Sequence, residues 1–130
     1  MTVGVLIITH DQLGEVLLHN TKHILGVCPL QTHTLNVPFN ADPDELLGTA
    51  QDLVTALDEG DGVLVLTDLY GATPSNIAHR LLTLPSVKIV TGVNMPMMIR
   101  IMNYPGLHIE NLAETAIDGG KEGIFMNRRK

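Results

Sequence analysis

Apolar residues follow two alternating patterns along the chain, short continuous runs and helical stripes. Residues 3–9 and 63–67 are continuous runs rich in Val, Ile and Leu, which is typical of strands buried on both faces. Residues 32–37 form a more polar run and predict an outer strand, and residues 87–91 predict a fourth strand. Between these runs, apolar residues recur every three or four positions, which predicts amphipathic helices.

Start and stop signals set the limits of the first two helices. The first stripe covers residues 13–25, and Gly26 can end it. The second helix follows Asp42, a capping residue, with Pro43 at its first position and Glu45 at its third. This arrangement is that of a capping box, so we expect a well-defined helix start there.

The second half of the chain continues the alternation. Its pattern predicts, in order, a helix over residues 73–84, a short helix over 95–102, a helix over 112–117 and an edge strand over 124–126. Thr73 is the expected cap of the first of these helices. Gly119 and Gly120 follow the last apolar stripe and are expected to end it.

Strands that alternate with helices predict an α/β fold with a doubly wound, mainly parallel sheet and helices on both faces. The expected strand order is 2-1-3-4, with residues 124–126 as an antiparallel edge strand. Residues 1–130 contain no internal repeat or linker and are expected to form a single domain. In such sheets, ligands bind outside the carboxyl ends of the strands, where the strand order reverses.

Composition narrows the classes of function. The formal net charge is −6, which argues against a nucleic-acid partner because such binding needs a cationic face. The single cysteine, Cys28, cannot form an internal disulfide and fits a reducing compartment. Neither a signal peptide nor an apolar run of about 20 residues is evident, so we expect a cytoplasmic protein without membrane insertion.

His10 and Asp68 are the leading candidates for chemistry. His10 ends the first predicted strand and Asp68 ends the third, so neighbouring strands would bring them together at the carboxyl edge. A structural histidine and a turn-forming aspartate are the alternatives. Residues 73–76 open a helix beside them, and a helix N-terminus binds phosphate readily, although plain capping explains most helix starts.

Other candidate sites are weaker. His19 and His23 stand four residues apart, but no third ligand is evident, which favours a solvated helix face over a metal site. Cys28 has no CxxC partner. The chain has neither a GxxxxGK[ST] loop nor a GxGxxG fingerprint, so we predict no metal, ATP or dinucleotide cofactor.

Four motifs in this order resemble a known family. They are VLIITH at residues 5–10, TDLYGATPSN at 67–76, GVNMPM at 92–97 and GGKEG at 119–123. Together they resemble the IIA component of the mannose class of the bacterial sugar phosphotransferase system, over the full length of the chain.

The resemblance implies a phosphocarrier. Members take a phosphoryl group from the protein HPr onto the histidine that maps to His10, and pass it to a histidine of a IIB protein. The family's aspartate maps to Asp68 and its phosphate-side hydroxyl to Thr73. Members are homodimers that exchange C-terminal strands, for which residues 124–126 are the candidate. The chain ends without a fused IIB domain, so the acceptor is expected to be a separate protein.

The residues make chemical sense of that role. A carboxylate that accepts an N–H from one imidazole nitrogen fixes the tautomer, leaving the other nitrogen as the nucleophile. We assign this role to Asp68, with attack through Nε2, and expect the amides of Ala72 and Thr73 to stabilise the phosphoryl group. Two departures stand out: Asp11 follows His10 where relatives often have glycine, and Ala72 replaces a second glycine.

The sequence leaves three alternative functions open. The first is a receiver-type signalling domain phosphorylated on Asp68, although its usual acidic pair and lysine are not evident. The second is the phosphocarrier subunit of a phosphotransferase-dependent dihydroxyacetone kinase, which shares the strand-one histidine. The third is a binding module without turnover. The sugar, and whether the role is transport or regulation, stay open.

Overall fold

The computed structural model of the chain describes residues 2–129. Strands and helices alternate through them almost as the apolar pattern predicts. The elements are β1 (Gly4–His10), α1 (Leu13–Leu25), β2 (Thr32–Val37), α2 (Pro43–Leu57), β3 (Val63–Thr67), α3 (Thr73–Arg80), β4 (Val87–Thr91), α4 (Met95–Met102) and α5 (Ile109–Glu122).

The four strands form one parallel sheet in the order β2-β1-β3-β4, which confirms the predicted fold class. The chain reverses direction across the sheet between β1 and β3, so their carboxyl ends form the predicted switch point. Ile8 of β1 lies opposite Thr67 of β3, the last residue of its strand. The residues that follow Ile8 and Thr67 therefore emerge side by side at the carboxyl edge.

The core consists of two aliphatic layers, one on each face of the sheet. Alternate residues of β1 serve the two layers: Ile7 packs with α4 and α5, whereas Ile8 packs with α2 and α3. The helices α1, α4 and α5 cover the first face, and α2 and α3 cover the second. Because β1 and β3 are buried on both faces, their carboxyl ends are held firmly from both sides.

Helix ends follow the predicted signals in the first half of the chain. Gly26 adopts a left-handed conformation (φ 74°) and its N–H donates to the Lys22 carbonyl, which ends α1. The Asp42 side chain accepts a hydrogen bond from the Asp44 amide at 3.0 Å, which caps α2.

Two predictions about α3 were wrong. Ala72, not Thr73, occupies the capping position, and Thr73 is the first helical residue. The α-helix also ends earlier than predicted, at Arg80, and continues as a 3₁₀ turn over Leu81–Thr83. The apolar periodicity does not distinguish these two helix types over a single turn.

Gly119 and Gly120 do not end α5, contrary to prediction. The helix continues to Glu122, and both glycines are buried against α4. A Cβ atom at Gly119 would lie 2.5 Å from Arg100 Cβ, and one at Gly120 would lie 3.1 Å from Met97 Cε. The glycines therefore allow two helices to approach closely, at some cost in helix propensity.

Residues 124–126 form no strand in this chain, so they do not complete its own sheet as an edge strand. They are exposed, with relative accessibilities of 74% for Ile124, 72% for Phe125 and 80% for Met126. Exchange of this segment with a second copy stays a prediction. No helix within residues 2–129 is long and apolar enough to cross a bilayer.

Candidate functional site

His10 and Asp68 meet at the carboxyl edge, as the predicted strand order requires. His10 is the last residue of β1, and Asp68 follows the last residue of β3. The backbone N–H of His10 donates to Asp68 Oδ2 at 2.9 Å, and His10 Nδ1 lies 2.8 Å from the same oxygen. One carboxylate oxygen therefore holds both the main chain and the ring of His10.

The second oxygen of Asp68 is also fixed. Oδ1 accepts the backbone N–H of Leu69 at 2.9 Å, and the Asp68 side chain is only 10% exposed. With both oxygens held, the carboxylate cannot rotate away from the ring. The sequence does not predict this contact. The donor is the backbone amide of residue 69, which every residue except proline has, so the identity of Leu69 gives no signal.

The arrangement leaves one ring nitrogen of His10 free to react. A carboxylate only accepts hydrogen bonds, so Nδ1 carries the proton and Nε2 carries the lone pair in the neutral ring. The His10 side chain is 40% exposed, and Nε2 makes no hydrogen bond to any residue between 2 and 129. The site thus presents an oriented and accessible nucleophile.

The turn between β1 and α1 is anchored by buried polar contacts. The Thr9 hydroxyl, which is fully buried, accepts the Gly14 amide at 2.7 Å, and the Asp11 amide donates to the Val37 carbonyl at 3.0 Å. Asp11 has a φ of 42°, a conformation that side-chain-bearing residues rarely adopt. The sequence identified Asp11 as a second carboxylate beside His10 but not this conformation.

The N-terminus of α3 lies in the loop that carries Asp68. The Thr73 amide donates to no acceptor within the described part of the chain, whereas the Ala72 amide makes a long, 3.4 Å bond to the Leu69 carbonyl. Gly71 supports this turn with a φ of 85°, where glycine carries no steric penalty. Thr73 is therefore the freer of the two predicted amide donors.

A cleft of about 420 Å³ opens on the other side of His10, between the start of α1 and the end of β2. Asp11, Gln12, Asn36 and Pro38 line it. Asn36 Nδ2 donates to Glu15 at 2.8 Å, while its Oδ1 is buried and has no donor among the described residues. No motif in the sequence marks this cleft, because Asn36 lies in an ordinary strand.

His19 and His23, the candidate metal ligands of the sequence, lie on α1 and take no part in the His10–Asp68 contact. The rings of His19 and His23 stack with centroids 6.5 Å apart on the exposed face of α1. Within residues 2–129 no group of three or more His, Cys, Asp or Glu side chains is placed to hold a metal ion.

Comparison with known proteins gives a consistent picture. The family model EIIA-man, described as the PTS system fructose IIA component, matches residues 4–116. The chain is 28% identical over 135 residues to the PTS system mannose-specific EIIAB component of Escherichia coli (strain K12). That match covers all of this chain but only 41% of the relative, so the chain spans about two-fifths of the length of the curated relatives it matches.

Solved structures agree in fold. The mannose/sorbose specific IIA subunit from Enterococcus faecalis superposes with a TM-score of 0.88 at 21% identity, covering 100% of this chain and 98% of that one. The PTS IIA protein associated with the fucose utilization operon from Streptococcus pneumoniae gives 0.83 at 27% identity, covering 97% and 93%. The first of these likenesses, at 21% identity, establishes only the fold. Because the family model matches most of the sequence, it also establishes the family: this chain belongs to the EIIA-man family of phosphotransferase-system IIA components.

Proposed function

We propose that the chain is a phosphocarrier that accepts a phosphoryl group from phospho-HPr on His10 and passes it to a histidine of a IIB protein. This proposal rests on the two contacts that Asp68 Oδ2 makes with His10, one with the backbone N–H and one with Nδ1. It leaves Nε2 exposed with its lone pair directed away from the carboxylate. Membership of the family agrees with this role.

The transfer step balances without a further reactant. The Nε2 lone pair attacks phosphorus, the donor's P–N bond breaks, and its electron pair returns to the donor imidazole. Positive charge develops on the His10 ring, and the Asp68 carboxylate stabilises it through Nδ1–H. Donor and acceptor are both phosphohistidines of similar energy, so the reverse geometry serves the second transfer.

The phosphoryl oxygens need donors that are already in position. We assign this role to the amide of Thr73, with that of Ala72 joining once its long bond to Leu69 gives way. Both amides lie at the N-terminus of α3, where the helix dipole also favours negative charge. Phosphoryl transfer depends mainly on such alignment and charge stabilisation.

We also infer that the chain forms a homodimer. β4 pairs with β3 on one side and has no strand on its other side within residues 2–129. Ile124, Phe125 and Met126 are exposed near that flank, and Ile124 borders a depression of about 150 Å³ beside β4 and α5. An unpaired edge and an exposed apolar segment are complementary features for pairing between two copies.

Intact-mass analysis tests the carrier function. The chain is incubated with phosphoenolpyruvate, enzyme I and HPr, and the wild type is compared with His10→Ala. His19→Ala serves as the matched control, because it removes an exposed histidine of α1 that the proposal does not use. We expect one acid-labile, base-stable phosphoryl group on the wild type and on His19→Ala, and none on His10→Ala.

The same experiment separates the rival functions. A label that survives His10→Ala and is released by hydroxylamine would indicate an acyl phosphate on Asp68, as in a receiver domain. Absence of label on the wild type would contradict the carrier function and favour a binding module.

A further inference from the structure

The segments that surround His10 carry an uneven charge. The four segments that follow the strands at the carboxyl edge, residues 10–16, 38–45, 68–76 and 92–97, contain no lysine or arginine. In addition to Asp68 they contain five carboxylates, called here the acidic rim, all on the segments after β1 and β2: Asp11, Glu15, Asp42, Asp44 and Glu45.

Internal cations compensate little of this charge. Arg80 pairs with Asp44 at 2.9 Å, and within residues 2–129 it is the only lysine or arginine that forms an ion pair with the acidic rim. Asp11 is exposed and makes no ion pair with any described residue. The His10 site therefore sits beside negative charge that the chain itself leaves largely unbalanced, although its substrate is a negatively charged phosphoryl group.

Carboxylates lie in and beside this cleft. Asp11 supplies an exposed carboxylate to its wall, and the lining residue Asn36 is bonded through Nδ2 to the carboxylate of Glu15 at 2.8 Å. Such a lining favours a group with several N–H donors and a positive charge. A lysine or arginine side chain has this chemistry.

An exposed aromatic residue follows the lining of this cleft in the chain. Phe39 follows the lining residue Pro38 and is 97% exposed, which is extreme for an aromatic ring. Leu69 and Tyr70, on the loop that carries Asp68, are also largely exposed. Aromatic side chains at the centre of an interface commonly carry much of its binding energy.

From these observations we propose that the cleft and Phe39 form a docking site for the phosphoryl-carrying partner protein. A lysine or arginine of that partner enters the cleft against Asp11, and an apolar patch of the partner covers Phe39. The proposal rests on the phosphocarrier function proposed above. It specifies the partner's chemistry: a cationic and apolar surface around its own phosphoryl group. That surface offsets the repulsion between the acidic rim and the incoming phosphoryl group.

The test measures the second-order rate constant for labelling of His10 by phospho-HPr across a range of ionic strength. We expect Asp11→Asn to lower this constant about fivefold at low salt and to flatten its salt dependence, because rim charges act mainly on association. Raising the ionic strength from about 0.01 M to about 1 M shortens the Debye length from about 30 Å to about 3 Å, so the difference should then disappear. Asparagine tolerates the left-handed conformation of Asp11, so the turn is preserved.

Matched controls separate docking from general effects. Asp52→Asn removes an exposed carboxylate of α2 outside the acidic rim and should match the wild type. Phe39→Ala should lower the constant about tenfold at every salt concentration, since an apolar anchor is not screened. Leu82→Ala, which truncates an exposed leucine of the 3₁₀ turn, should have no effect. Saturating rates should change little in all four variants.

A charge swap identifies the contact itself. Asp11→Lys should lose more activity than Asp11→Asn, and one Lys→Glu or Arg→Glu variant of HPr should restore it. If Asp11→Asn and Phe39→Ala are labelled at the wild-type rate throughout the salt range, the docking proposal is overturned while the carrier function stands. If the wild type takes no label at all, the carrier function itself fails.

Discussion

The carboxyl edge of the sheet and the C-terminal flank differ in how many of their polar and apolar groups find partners within one chain. At the carboxyl edge, each carboxylate oxygen of Asp68 has a partner and His10 is held at two atoms. The C-terminal flank consists of β4, the end of α5 and residues 124–129. There, no strand among residues 2–129 pairs with the outer edge of β4, and three apolar side chains face solvent. The contacts of the first region lie within one chain, whereas the second has the exposed features that the dimer proposed above would cover.

On the functions proposed above, this difference separates phosphoryl transfer from assembly. The proposed reacting residues, His10 and Asp68, lie at the carboxyl ends of two central strands, which the buried core holds on both faces. The hydrogen bonds of that pair involve none of the described residues of the C-terminal flank. The phosphoryl chemistry should therefore survive loss of the dimer, while loss of Asp68 should remove chemistry and leave assembly intact.

The largest expected effect is at Asp68. Replacing it by asparagine keeps the shape but removes the charge that stabilises the developing imidazolium and the acceptor that fixes Nδ1–H. We expect the labelling rate of His10 to fall on the order of a hundredfold, within the range typical of acid–base partners. Quench-flow measurements with phospho-HPr give the rate, and Asp118→Asn, on the exposed face of α5, is the matched control. A loss below threefold would show that Asp68 does not orient the ring.

Removal of residues 124–130 addresses the C-terminal flank. We expect the wild type to be a dimer and the shortened chain a monomer in sedimentation velocity, because the apolar segment that pairs with the open edge of β4 is gone. Labelling of His10 should stay within about twofold of the wild-type rate, an effect well under 1 kcal/mol. A monomeric wild type, or a shortened chain that no longer accepts label, would break the separation between the two regions.

Gly119 tests the packing that supports the C-terminal flank. In Gly119→Ala the added methyl group would meet Arg100 Cβ and Cγ, at 2.5 and 2.7 Å, so helices α4 and α5 must move apart. We expect a loss of about 1–3 kcal/mol in the free energy of unfolding. Gly48→Ala in α2 is the matched control, because nothing lies within 4 Å of its added methyl group. This control should gain about 0.5–1 kcal/mol. Urea titrations measure both, and equal effects would refute the packing role.

The smallest expected effect concerns the turn before β3, which lies at the opposite edge of the sheet from His10. Asp58 Oδ1 accepts the Gly60 and Gly62 amides at 2.9 and 3.1 Å. The Gly60 bond is the main cause that lowers the pKa of Asp58 below its ordinary value. A lowered pKa means that the ionised group stabilises the fold above the pKa of the unfolded chain. This contribution is lost as the pH falls through the folded pKa.

The measurement is the difference in thermal midpoint between the wild type and Asp58→Asn. We expect the wild type to melt higher at neutral pH and the difference to vanish at pH values below the ordinary range for aspartate. A difference that grows on acidification would contradict the assignment. His10 labelling should be equal in the two proteins at neutral pH, since the turn lies away from the carboxyl edge.

The sequence predicted the carboxyl edge better than the C-terminal flank, for physical reasons. Continuous aliphatic runs identify β1 and β3 because both are buried on two faces, and parallel topology then brings His10 beside Asp68. One oxygen of Asp68 contacts both the backbone N–H and Nδ1 of His10. This arrangement depends on how the side chains are placed, which no spacing in the sequence specifies.

Two of the wrong predictions came from local preferences that the surrounding structure overrode. Gly119 and Gly120 read as a helix stop, although in the structure they permit contact with Arg100 and Met97 of another helix. Thr73 read as a cap because the chemistry of its side chain suits that position, yet the turn at Gly71 places Ala72 there. Helix packing in the first case and the backbone turn in the second overrode a local preference that is worth only about 1 kcal/mol.

The central claim is that Asp68 holds Nδ1 of His10 so that Nε2 receives the phosphoryl group. Nitrogen-15 NMR of the chain labelled at histidine, recorded before and after incubation with phosphoenolpyruvate, enzyme I and HPr, tests it directly. We predict that the phosphorus coupling appears on Nε2 of His10, with Nδ1 still protonated. Coupling on Nδ1, or on a histidine other than His10, would contradict the account.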